Sequence, residues 1–198
     1  MKEIQPPQPI PYPDHPILKS LYRLPITLYR LGLGPIIGKY ILVVSTYGRK
    51  TGKVRRTPVE YHQHQGQIFV MSGFADRPDW YQNLRENPPA GLNIANRQLC
   101  AKARKPETPE EWEGVLAFLN SSPVAQLSEP ELSEQPEDAS LLDNIKNWPI
   151  LTFDPTDQPC PPPLEADLVW AWPLILLSGA WLLLLGWLHH RNQRNQSS

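Results

Sequence analysis

Eleven consecutive residues, Gly48-Arg49-Lys50-Thr51-Gly52-Lys53-Val54-Arg55-Arg56-Thr57-Pro58, hold five cationic side chains, two hydroxyls and two glycines. Glycine allows positive φ and close approach, successive backbone N–H groups in such a turn form an anion nest, and Arg or Lys adds charge-assisted bonds to phosphate oxygens. A phosphate site is one reading of the stretch and a solvated hairpin loop is the other. GxxxxGK[ST] and GxGxxG are both absent, so neither a Walker loop nor a dinucleotide turn is present. Only Tyr47 and Tyr61 flank the run as stacking platforms, and nucleic acid is not expected as a partner. His62 and His64 face one side of a strand but lack a third ligand nearby, so no metal site is expected. Cys100 and Cys160 are too far apart for a CxxC pattern. Cys100 reads as a packed or idle strand residue, a disulfide scaffold is not expected, and a reducing cytoplasm is the default.

Charge along the chain agrees with an anion site in the first half. Residues 1–106 carry 16 Lys and Arg against 6 Asp and Glu, residues 107–167 carry 1 against 14, and the overall net charge is −1. The near-neutral total therefore hides a basic half that suits a phosphorylated cofactor, a membrane surface or another polyanion.

The elements that must position these residues follow from periodicity. Residues 1–16 form a proline-rich arm, and apolar residues spaced by three and four predict an amphipathic helix over 17–31, interrupted near Pro25. Strands are predicted at 40–46, 54–62 and 67–72, the last two joined by a hairpin at Gly66. A short helix follows at 78–86, then strands at 91–95 and 98–104 around an Asn96-Arg97 turn. Thr108-Pro109-Glu110-Glu111 caps a helix to about Leu119, residues 121–140 read as a loop, and 148–153 forms a last strand. Hairpins dominate, so the fold class is mainly β (α+β): about six antiparallel strands in a small barrel with flanking helices, over residues 17–153.

Residues 154–167 read as a proline-rich spacer. Residues 168–188 form a run of 21 without a charge, long enough as a helix to reach across roughly 31 Å of bilayer. A C-terminal transmembrane helix is expected there, followed by a polar tail at 189–198. Arg191 and Arg194 favour a cytoplasmic tail by the positive-inside rule, while the lack of a leading signal favours a cytoplasmic barrel held by a single-pass anchor.

Ser45-Thr46-Tyr47-Gly48-Arg49-Lys50-Thr51-Gly52, the Arg-x-Pro at Arg56, the Gly-centred hairpin and Pro78-Asp79-Trp80-Tyr81-Gln82-Asn83-Leu84-Arg85-Glu86-Asn87-Pro88 together resemble the deazaflavin-dependent nitroreductase family. The likeness runs from about Ile41 to Phe153. It implies a split β-barrel that binds coenzyme F420, with FMN on the same barrel as the alternative. Under it, Arg49, Lys50 and Thr51 hold the cofactor phosphate, and Arg55, Arg56, Thr57 and Pro58 continue the site along the second strand. Val70, Met71, Ser72 and Gly73 border the deazaflavin ring, and Asp79, Trp80, Tyr81 and Asn83 come to the same pocket. Family members active on nitro compounds carry substrate-facing tyrosines in their C-terminal third, whereas the last tyrosine here is Tyr81. Nitroreduction is therefore not expected, and the catalytic residue is unknown.

The expected function is a membrane-anchored oxidoreductase passing hydride from reduced F420 to a small lipophilic acceptor such as a quinone. Its partners are the anionic cofactor, that acceptor and the bilayer, and the fold leaves room for a homodimer. The alternatives are an FMN-dependent reductase and a non-catalytic tail-anchored cofactor-binding or interaction protein.

Overall fold

The computed structural model describes residues 16–121, 146 and 148–196; the N-terminal arm and the acidic loop lie outside these residues. Six strands, β1 (Ile41–Tyr47), β2 (Val54–His64), β3 (Gln67–Met71), β4 (Pro89–Ile94), β5 (Arg97–Arg104) and β6 (Ile150–Pro155), close into an antiparallel barrel in the order β1-β2-β3-β6-β5-β4. Alternation builds it: Leu42, Val44, Val59, Ile68, Val70, Leu92, Leu151 and Phe153 fill the interior, while Val43, Phe69, Met71 and Ile150 face outward into helix packing. The β2–β3 hairpin turns on Gln65 and Gly66, with φ of 48° and 86°, a type I′ pairing that favours Gly at its second position.

Five helices are described, α1 (Pro16–Arg30), α2 (Gly34–Ile37), α3 (Asp79–Glu86), α4 (Pro109–Ser121) and α5 (Trp172–Gln196). α3 plugs one end of the barrel with Trp80, Tyr81 and Leu84, all buried. α4 covers the outer face of β3 and β6 through Trp112, Val115 and Phe118. At the opposite end α2 lies so close to the β4–β5 turn that a Cβ on Gly38 would stand 2.3 Å from Ala95 N. That contact places the turn at Ala95-Asn96, with Ala95 at φ 53°, one residue before the expected Asn96-Arg97. Tyr29 of α1 is buried and joins the same corner, its hydroxyl donating to Ile41 O (2.9 Å) and accepting from Ala95 N (3.1 Å).

Arg104 of β5 ties two neighbours together, donating to Asp154 of β6 (2.6 Å) and Glu111 of α4 (2.9 Å). Glu111 also accepts from Glu107 N and Thr108 N, and Thr108 Oγ1 accepts from Glu111 N, which is the expected capping box. The Arg104 guanidinium is the main cause that holds the Glu111 carboxyl down to about 2. Because this folded value lies below the unfolded one, the contribution is present above about pH 4.3 and is lost as pH falls toward 2. Glu111→Gln is expected to flatten the acid limb of stability between about pH 5 and 2, read by circular dichroism; an unchanged limb would remove this assignment.

Three expectations are corrected. Cys100 is not idle: it is disulfide-bonded to Cys160, with Cα atoms 5.7 Å apart, because the chain after β6 folds back over β5. For the same reason residues 156–168 are not a free spacer but lie on the barrel. The expected transmembrane helix over 168–188 is not formed as one span. Val169–Ala171 is a 3-10 turn and α5 begins only at Trp172, tied to the end of α1 by Trp172 Nε1 donating to Leu31 O (2.8 Å). The uncharged helical part that remains, 172–188, is roughly 26 Å long against a bilayer core of about 30 Å. Among the described residues no helix is long and apolar enough to cross a membrane.

Candidate functional site

The cationic run forms the β1–β2 connection at the barrel end that α3 plugs. Gly48 N donates to Lys53 O (2.9 Å), and Thr51 N and Gly52 N both donate to Gly48 O (3.0 and 2.7 Å). Gly52 takes φ 64°, a conformation glycine adopts without penalty. Register then sorts the cations. Arg55 lies opposite Thr46 and Arg56 opposite Ser45, so the two arginines leave β2 on opposite faces.

Arg49 is held inside this structure. Its backbone N–H donates to Asn83 Oδ1 (3.0 Å), its guanidinium to Asp79 (2.7 Å) and to Asn83 (3.3 Å). Asn83 is itself buried and donates to Thr46 Oγ1 (3.1 Å). The carboxamide thereby fixes the turn to α3 and to β1 at once, which Ala could not do. Lys50, Lys53 and Arg55 are exposed and make no ion pair among the described residues. They form the open, positively charged lip of the site. Thr51 is exposed beside them, with its Oγ1 accepting a long bond from Lys53 N (3.4 Å).

The structure brings β3's end to the same place but divides its residues. Val70 points into the barrel and Met71 outward under α4, since neighbours in a strand face opposite sides. Ser72 is buried, with its hydroxyl unpartnered among the described residues, and Gly73 and Phe74 are half-buried at the rim. The Phe74 ring meets Tyr22 of α1 edge-on at 6.2 Å between centroids. Trp80 and Tyr81 belong to the plug, and burial raises the Tyr81 hydroxyl above its ordinary value. Thr57 lies opposite the inward Val44 and Pro58 opposite the outward Val43, both half-buried. Arg56 reaches away from the lip toward Pro162 O and Pro163 O (3.5 and 3.4 Å).

Of the residues singled out in the sequence, Lys50, Thr51, Arg55 and Gly73 are therefore open to a ligand at this end. Arg49, Asp79 and Asn83 shape the turn, and Val70, Met71, Trp80 and Tyr81 support it from below. Lys53, one of the five cations of the run, joins the lip although the resemblance gives it no role, and Phe74 borders the rim with only its place beside Gly73 to signal it. His62 stacks on Phe118 of α4, at 5.9 Å and 7°, and no cluster of three potential metal ligands occurs among the described residues.

Three exposed cations and a buried serine hydroxyl without a partner among the described residues make a donor set for an anionic ligand, while the amides of Gly48, Arg49, Thr51, Gly52 and Lys53 are already given to acceptors within the turn and to Asn83. Residues 28–121 match the F420H(2)-dependent quinone reductase family. This match bears out the resemblance carried by the Gly48–Gly52 and Pro78–Pro88 motifs. It covers the last residues of α1, β1 to β5 and α4, and so contains the whole lip and plug; the enzyme class it supports is an F420-dependent oxidoreductase.

Solved structures similar to the chain include a heme-binding protein from Mycobacterium smegmatis, at 14% identity and TM-score 0.44, covering 64% of this chain and 51% of that one. An F420-H2 dependent reductase is similar at 20% identity and TM-score 0.39, covering 59% and 95%. A pyridoxamine 5′-phosphate oxidase-related FMN-binding protein from Nostoc punctiforme is similar at 13% identity and TM-score 0.39, covering 73% and 83%. The chain thus spans about half the length of the mycobacterial protein.

Proposed function

We propose that this chain is an F420H2-dependent quinone reductase. The observation that carries the reading is the lip itself: Lys50, Lys53 and Arg55 stand exposed, without an ion pair among the described residues, beside a turn whose Arg49 is fixed by Asn83 and Asp79, all within the family match. When bound, reduced F420 supplies the hydride, and the protein's part is binding, orientation and exclusion of water. Lys50, Lys53 and Arg55 would draw in and hold the phosphorylated tail. Asn83 would hold the turn that carries these cations in one shape, and Ser72 Oγ would donate to a polar ring edge at the end of β3. Asp79, at the start of α3, would keep Arg49 from spreading into the ligand space. No described side chain is assigned as a proton donor.

The lipophilic character of the acceptor is supported by the exposed apolar surface of α5. Leu176, Leu177, Trp181, Leu182, Leu183 and Trp187 are all more than half exposed on this one helix, and contiguous exposed apolar surface of this kind marks a lipid or partner contact. The reading includes lipid contact through this helix, which would keep the barrel near membrane-dissolved quinone, with the barrel on the cytoplasmic side. FMN on the same barrel is the second reading.

Titration of the purified chain with F420 and with FMN at low ionic strength tests the cofactor. F420 is expected to bind more tightly, with FMN displaced by it; preferential FMN binding would reverse the assignment. In the same preparation the chain is expected to co-sediment with phosphatidylglycerol vesicles and to be released by deletion of residues 168–198. Continued sedimentation of the truncated chain would move the contact to α1.

A further inference from the structure

The strap formed by residues 156–168 is fastened to the barrel in two halves by different chemistry. The half next to α5 is latched by hydrogen bonds. The buried Asn93 carboxamide binds both backbone groups of Leu164, accepting from its N–H (2.7 Å) and donating to its carbonyl (2.8 Å). Gln98 adds a bond to the same carbonyl (3.1 Å). Arg30 and Asp167 form a two-pronged pair at 2.7 Å, and Leu168 N donates to Arg30 O (2.9 Å).

The half next to β6 has no such latch. Pro159, Pro161, Pro162 and Pro163 lack an N–H to give. The described bonds from residues 157–163 to the barrel are at the long limit, Tyr47 Oη to Cys160 O at 3.5 Å and the two from Arg56. The firm tether there is the Cys100–Cys160 disulfide, between two partly exposed cysteines. Beneath it the strap backbone rests directly on β4: a Cβ on Gly91 would stand 2.3 Å from Pro161 O. Ser45, buried on the neighbouring strand β1, has an unpartnered hydroxyl among the described residues.

We propose that Cys100–Cys160 is a redox-operated lock on residues 157–163, independent of the latch that holds α5. A dithiol supplies two electrons and two protons; the S–S bond breaks, two thiols form, and the dithiol leaves as a disulfide. The opened segment lifts from Gly91 and releases Tyr47 and Arg56 beside the cationic lip, while Asn93 and Arg30 keep residues 164–168 and the start of α5 in place. For a barrel on the cytoplasmic side, a disulfide of this kind is of the redox-sensing type. The effect on the lip rests on the function proposed above; the opening itself does not.

Backbone 15N relaxation on the full chain, oxidised and after dithiothreitol, tests the lock. The order parameters of Asp157, Gln158 and Cys160, the residues of 157–163 that carry an amide proton, are expected to fall from about 0.85 to below about 0.6 on reduction, with 164–168 and the barrel strands unchanged. Cys100→Ser should behave as the reduced chain does. Asp167→Asn in the oxidised chain should loosen 165–168 and leave 157–163 closed. Unchanged order parameters over 157–163, or loosening of the whole strap together with α5 on reduction, would overturn the proposal. F420 binding by neither redox form would count against the proposed function, and the relaxation pattern would still decide the lock.

Discussion

Replacing Lys50, Lys53 and Arg55 together by alanine is expected to weaken F420 binding about 100-fold at low ionic strength while leaving the thermal midpoint unchanged. The magnitude follows from exposure. These side chains are in water in the free protein, so each charge-assisted contact is worth about 1 kcal/mol rather than the larger value of a dry site. Three of them give about 3 kcal/mol, and every 1.4 kcal/mol is about tenfold in affinity. The same variant should lose most of the salt dependence of binding, because the screened interactions are the ones removed. Fold stability is spared since none of the three is packed. A triple variant that binds as tightly as the parent chain would place the phosphate elsewhere. Arg49 belongs to a different class: its contacts run to Asp79 and Asn83, so Arg49→Ala would disturb the turn as well as its charge.

Trp80→Ala is expected to have the largest effect on stability, a loss of about 3–5 kcal/mol and roughly 10 °C in Tm by calorimetry. Trp80 is 6% exposed and packs with Tyr81 and Leu84 across the open end of the barrel. Truncation would leave a cavity among strand residues that are hydrogen-bonded on both sides and cannot collapse into it. The motif alone allows Trp80 to be a ring contact for the cofactor. A variant with near-native Tm and a large loss of F420 affinity would favour that role over the plug.

What the sequence revealed and what it hid divide along physical lines. Strands announced themselves by alternation, and the β2–β3 hairpin by Gly66, because those signals act over a few residues. The Thr108–Glu111 capping box was legible for the same reason. The roles within the Gly48–Pro58 run were not, since Arg49 is sorted from Lys50 only by Asp79 and Asn83, which join the turn from a helix about 30 residues later. The disulfide and the strap were hidden by composition: prolines suggest a spacer whether or not a surface awaits them. Gly91, the seat of the strap, looked like an ordinary strand glycine. The uncharged run at 168–188 read as one helix because periodicity is silent in a uniformly apolar stretch, and the break before Trp172 is set by tertiary bonds to Arg30 and Leu31.

On the proposed function, the cationic lip holds reduced F420 for hydride transfer to a quinone. Anaerobic mixing of the purified full chain with reduced F420 and menadione, followed by the reappearance of oxidised F420 absorbance, tests it most directly. Catalytic oxidation is expected, saturable in F420 and strongly reduced in the Lys50, Lys53 and Arg55 triple alanine variant. Oxidation no faster than in protein-free buffer, or equal rates in parent and variant, would contradict it.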